Sequence, residues 1–157
     1  SGLREVASNA IPNIAGIGGF LASDTTPILN LLNGDTDSAF RVAWAAANVD
    51  AVTFQRVIPP DLDPSKPLYI KFIAYMAGTT DIPIVTAETF FGKGDTKVSD
   101  TSGAVTGTTE AVYTITIAAA DIETNVKKRT FSVELTPAAH GTDILYLLGL
   151  FCEYTRL

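Results

Sequence analysis

The stretch LYIKFIAYMA, residues 68–77, reads as a β-strand without a polar face. A half-buried strand alternates apolar residues toward the core with polar residues toward water. Here Leu68, Ile70, Phe72, Ala74 and Met76 share one face. Tyr69, Lys71, Ile73, Tyr75 and Ala77 share the other, where Lys71 is the one charge. The final run LYLLGLFCEYT, residues 145–155, repeats the pattern. Strict alternation places Leu145, Leu147, Gly149, Phe151 and Glu153 on one side and Tyr146, Leu148, Leu150, Cys152 and Tyr154 on the other. Two strands apolar on both sides require a cover for the second face. Either the chain's own N-terminal arm or another subunit would supply it.

Outward from these two runs, turn residues punctuate the sequence at short intervals, the signature of an all-β sandwich or barrel. Strands are expected at 40–46, 52–58, 68–77, 84–91, 111–118, 130–136 and 145–155. Their β-branched and aromatic content suits a pleated surface. In FRVAWAA, Phe40, Val42 and Trp44 point one way, and Arg41, Ala43 and Ala45 the other. Helix is scarce. A short one is expected at Thr26–Leu32, capped by Asp24 or Thr25, opened by Pro27 and ended by Gly34. AAADIET, 118–124, suits one more helical turn. Residues 1–37 show no sustained period and read as an extended N-terminal arm or irregular edge strand packed on the body or on a neighbour, leaving 38–157 as the sandwich domain. The polar, Gly- and Thr-rich stretch from Gly92 to Thr109 reads as a long exposed loop.

Composition narrows the function classes. A length of 157 residues suits a single core. One cysteine permits neither an internal disulfide nor a cysteine-built metal site. A net charge of −6 opposes nonspecific binding to nucleic acid. No apolar run reaches the ~18 residues of a membrane-spanning helix, and SGLREVASNA lacks the basic and apolar regions of a signal peptide. Charged residues make up 18%, below the roughly 25% of an average globular chain, and mean hydropathy is +0.24. Such a chain is expected to be a subunit of something larger.

Catalytic chemistry is hard to place. The one histidine, His140, could serve as a general base oriented by Asp143, but its setting in PAAHGTD suits a polar loop between strands. Gly16, Gly18 and Gly19 lack the rest of a dinucleotide fingerprint, and Gly92-Lys93-Gly94-Asp95 is not followed as a phosphate loop requires. Asp61 and Asp63 in PPDLDPS could offer oxygens to calcium but lack EF-hand spacing, and a proline-bounded turn accounts for them. The acidic residues of the long loop, Asp95 and Asp100, are read the same way. Tyr69, Tyr75 and Tyr154 are candidates for stacking on sugar rings, although their strand positions suit an interface. The chain is expected to have no catalytic site, cofactor or metal.

Residues 54–77, FQRVIPPDLDPSKPLYIKFIAYMA, resemble a motif of jelly-roll proteins in tailed-phage virions, and HGTDILYLLGLFCEY resembles the closing strand of the same group. The resemblance covers roughly residues 40–155 and implies an antiparallel jelly-roll β-sandwich. It also implies a structural virion protein, often trimeric: a capsid cement (decoration) subunit on the capsid exterior, bridging copies of the major capsid protein. The alternative is a phage fibre head or a receptor- or carbohydrate-binding domain. On the cement reading, the subunit interface is expected at Tyr69, Ile73, Tyr75, Leu147, Phe151 and Tyr154, and the capsid contact at Ile11, Ile14, Ile17 and Phe20. Neither nucleic acid nor membrane is an expected partner.

Overall fold

A computed structural model describes residues 3–7, 28–31, 40–92, 97–122 and 130–157. It is an antiparallel jelly-roll-like β-sandwich. The strands in chain order are β1 (Leu3–Ala7), β2 (Ile28–Leu31), β3 (Phe40–Trp44), β4 (Val52–Val57), β5 (Leu68–Met76), β6 (Ile84–Phe90), β7 (Val98–Ala104), β8 (Ala111–Ile117), β9 (Thr130–Pro137) and β10 (Leu145–Thr155). One sheet runs β2-β3-β10-β5-β8, with β1 also paired to β10, and the other runs β4-β9-β6-β7. β10 is the spine of the larger sheet. One of its edges pairs with β5, while the opposite edge pairs first with β3, at Leu145–Leu147, and then with β1, at Phe151–Thr155.

The core lies between the sheets. From the larger sheet it takes Val42 and Trp44, the five residues Leu68, Ile70, Phe72, Ala74 and Met76, and Ile115 and Ile117. The smaller sheet supplies Val52, Phe54, Val85, Ala87, Phe131, Val133 and Leu135. Each large side chain buried in this way contributes about 1.5–3 kcal/mol. Trp44 satisfies its indole by donating Nε1–H to the Asp50 carbonyl at 2.8 Å.

Alternation in β10 does not run straight through. Pairing with β5 shifts register between Leu147 and Gly149, so Leu148 is the extra residue of a β-bulge. Leu145 and Leu147 face the core before the bulge, and Leu150, Cys152 and Tyr154 face it afterwards. Strict period-2 counting therefore misassigns the second half of this strand.

Two further expectations need correction. Residues 28–31 are strand rather than the middle of a helix, because β2 pairs with β3 from Ile28↔Ala43 to Leu31↔Phe40. A tertiary ladder outweighs capping signals in so short a segment. The stretch from Gly92 to Thr109 is not simply a loop: Val98–Ala104 form β7, an edge strand on β6. Ser99, Thr101 and Gly103 sit on its solvent side, whereas Ser102 is buried, its hydroxyl accepting the Val85 N–H at 3.0 Å. The one helical turn expected within 118–124 is present, as the 3₁₀ segment Ala119–Asp121. Within the N-terminal arm, β1 and β2 belong to the larger sheet, while Ile11, Ile14, Ile17 and Phe20 lie outside the described residues.

Candidate functional site

The outer faces of the two sheets differ in chemistry. On the smaller sheet, Thr53, Gln55, Ser132, Glu134, Thr136, Thr86 and Glu88 face outward. Glu88 is held by Lys97 at 2.7 Å. Val57 and Ile84 are its exposed aliphatic residues, and Phe90 is the aromatic exception, lining a depression with Gln55, Gly92, Thr130 and Ser132. On the larger sheet the central strands present Tyr69, Lys71, Ile73 and Tyr75 from β5 and Tyr146, Phe151 and Glu153 from β10, all half-buried. This second face is the candidate site.

Antiparallel register arranges these side chains in rows. Tyr75 lies opposite Tyr146, Ile73 opposite Gly149, Lys71 opposite Phe151, and Tyr69 opposite Glu153. On the far side of β5, Val112 extends the Ile73 row, Thr114 the Lys71 row and Thr116 the Tyr69 row. A Cβ added at Gly149 would lie 3.9 Å from Ile73 Cδ1, an ordinary van der Waals contact. From Tyr69 to Tyr75 the face runs roughly 20 Å along the strand.

At one end, Tyr75 and Tyr146 pack with ring centroids 4.9 Å apart. Arg41, reaching over from β3, lays its guanidinium on the Tyr146 ring, 3.7 Å from the centroid. It also donates from Nη1 to the Tyr75 hydroxyl at 2.6 Å. The stacking and the hydrogen bond together fix all three side chains in one arrangement. Further along, Lys71 Nζ meets Glu153 Oε2 at 2.7 Å, each side chain about one-fifth exposed. A partly exposed pair of this kind adds at most about 1 kcal/mol to stability, so its interest is chemical: a donor and an acceptor held side by side.

The expected interface residues therefore divide. Tyr69, Ile73, Tyr75 and Phe151 share the outer face. Leu147 and Tyr154 do not; they are 1% and 3% exposed and belong to the core. The bulge puts Phe151 outward and Tyr154 inward, where the Tyr154 hydroxyl donates to Asp61 Oδ1 at 2.8 Å. That contact removes Tyr154 from the sugar-stacking candidates and gives Asp61 a structural role. Asp63 closes its turn by accepting from the Ser65 N–H and hydroxyl at 2.9 and 2.6 Å. Sequence reasoning missed the grouping of Arg41 with Tyr146. That grouping depends on β10 pairing with β3, whereas Gly149 inside a strand was the available signal for the bulge that turns Phe151 outward and Tyr154 inward.

His140 lies in the loop between β9 and β10, as its setting suggests, and is fully buried there. Its Nδ1–H donates to the Ala138 carbonyl at 2.9 Å, and its Nε2 is buried without a hydrogen-bond partner among the described residues. Asp143 does not orient it. That carboxylate instead accepts the Thr80 and Asp81 N–H groups at 2.7 and 2.9 Å. Asp81 reciprocates, accepting the Thr142 and Asp143 N–H groups at 2.7 and 2.8 Å. These two backbone donors hold the Asp81 carboxyl below the usual aspartate range. On β7, burial, with the nearby Asp121 charge second, raises the Asp100 carboxyl. No group of three or more His, Cys, Asp or Glu side chains suited to a metal occurs among the described residues.

No protein-family model matches the sequence, and no curated protein matches it either. Solved structures do resemble the fold. "Family 16 Carbohydrate Binding Module-2" aligns over 93% of this chain and 97% of its own, with a TM-score of 0.54 at 8% identity. The CBM22-1–GH10 modules of Clostridium thermocellum endo-1,4-β-D-xylanase 10B, complexed with xylohexaose, align over 86% of this chain and 25% of theirs, with a TM-score of 0.51 at 11% identity. The enzymatically active domain of bacteriophage CBA120 tailspike protein 4 aligns over 96% of this chain and 19% of its own at 11% identity, with a TM-score of 0.46, too low to weigh. Identities this low establish a shared sandwich fold and nothing finer.

Proposed function

We propose that this chain is a non-catalytic carbohydrate-binding module that holds a glycan against the outer face of its larger sheet. The observation that carries the reading is the Arg41–Tyr75–Tyr146 group, set on one sheet face with the Lys71–Glu153 pair, while the opposite sheet faces outward with Thr, Ser, Gln and Glu. Sugar rings have apolar C–H faces that pack on aromatic rings and hydroxyl edges that need donors and acceptors, and this face offers both. Side chains already fixed by mutual contacts lose little freedom on binding. The shared fold with solved carbohydrate-binding modules supports the reading at the level of architecture.

The geometry favours this reading over an adhesive capsid subunit. Two of the residues expected to form a subunit interface, Leu147 and Tyr154, are core residues, so the apolar area available for self-association shrinks. The same face would serve a receptor-binding head on a phage fibre, the setting implied by the sequence resemblance.

A glycan array followed by calorimetry on the purified chain tests the proposal. Tyr75→Ala and Tyr146→Ala should each weaken binding by about tenfold or more, equivalent to ~1.4 kcal/mol, while Phe90→Ala on the opposite sheet leaves it unchanged. Absence of binding to any glycan, or binding untouched by both tyrosine substitutions, would overturn it.

A further inference from the structure

The charges on this face point to the class of sugar. Lys71 is matched by Glu153 at 2.7 Å. Arg41 is spent on the Tyr146 ring and the Tyr75 hydroxyl. Glu110, exposed just ahead of β8, adds a second negative charge at the Tyr75 end. The described face thus carries two cations and two anions, on a chain whose net charge is −6. A uronate or sulfate placed here would meet a lysine already neutralised by Glu153 and an arginine already engaged with Tyr146 and Tyr75, against the net negative charge of the whole molecule. Uncharged polar groups are present, however, as Thr114 and Thr116 stand exposed beside Lys71 and Tyr69.

From this balance we infer that the ligand is a neutral oligosaccharide whose hydroxyls are read by the Lys71–Glu153 pair. The inference rests on the carbohydrate-binding reading and adds the ligand's charge class and the residues that select it. Lys71 Nζ has three donors and Glu153 two acceptor oxygens, and their mutual contact uses one of each. The remainder can take the oxygen of one sugar hydroxyl and the hydrogen of the next. A vicinal diol fits such a donor–acceptor couple, and the rings on either side of that contact would pack on Tyr69 and Phe151.

The test is a titration of neutral hexose and pentose oligosaccharides against oligouronides and sulfated oligosaccharides, repeated at high salt. Neutral chains should bind about tenfold tighter than charged ones, and added salt should change their affinity by less than about twofold, as hydrogen bonding and stacking require rather than counterion release. The isosteric Glu153→Gln should weaken neutral-sugar binding by roughly tenfold, the scale of a lost hydrogen bond to a charged group, without lowering the melting temperature. Tighter binding of an oligouronide, affinity falling steeply with salt, or full affinity in Glu153→Gln would overturn the inference while leaving carbohydrate binding intact. Failure of every sugar to bind would overturn both.

Discussion

Asp81 and Asp143 form a clasp in which each carboxylate accepts two backbone N–H groups from the loop that carries the other. The loop after β5 and the loop before β10 are joined in this way at the Tyr75–Tyr146 end of the candidate face. Gly78 makes the clasp possible, since a Cβ there would fall 2.2 Å from Asp143 Oδ1. Gly78→Ala should therefore push the pinned carboxylate out of place and lower stability by about 1–3 kcal/mol, measurable as a lower urea midpoint. The clasp also sets a pH dependence. Because backbone donors lower the folded-state pKa of Asp81, its stabilising contribution is complete above the ordinary aspartate value of about 4 and is lost as pH falls through the lowered value. Asp81→Asn keeps an acceptor oxygen and removes the titration. Its stability–pH curve should be flatter on the acid side than that of the parent chain; an unchanged acid limb would dismiss the clasp as a contributor.

At the scale of elements, the bulge in β10 decides which side chains reach solvent. Leu150 is 2% exposed, whereas its neighbour Phe151 is half-buried on the outer face. Leu150→Ala should cost about 2–5 kcal/mol as a core truncation, and Phe151→Ala much less, in chemical denaturation. Similar costs at both positions would contradict the bulge. The central strands were legible in the sequence because their residues follow the pleat: Leu68 to Met76 alternate as counted, β4, β6, β8 and β9 fall within one residue of their expected ends, and β3 stops two residues short of its own. Beyond β1, which falls in the segment read as an N-terminal arm, two strands escaped notice for physical reasons. β7 hides because an edge strand made of Ser, Thr, Asp and Gly carries no apolar period, and it is stabilised by pairing with β6. β2 hides because four residues can be called strand only once β3 is beside them. Half of the candidate face was visible in LYIKFIAYMA. The other half needed the phase shift at Leu148, which tertiary pairing with β5 defines.

At the scale of the whole molecule, the sandwich separates its two outer faces into a polar sheet and an aromatic one. The chain's low charge and positive mean hydropathy follow in part from this division, since the central strands of one face present Tyr69, Ile73, Tyr75, Tyr146 and Phe151 around a single Lys71–Glu153 pair. On this account the doubly apolar strands are a surface for a ligand rather than only for another subunit. The most direct test is NMR chemical-shift mapping of the labelled chain during titration with a neutral oligosaccharide that binds it. The account predicts perturbations at Arg41, Tyr69, Lys71, Tyr75, Tyr146, Phe151 and Glu153, with the smaller sheet quiet. Perturbations centred on Gln55, Phe90 and Ser132, or confined to the loops at either end of the sandwich, would contradict it.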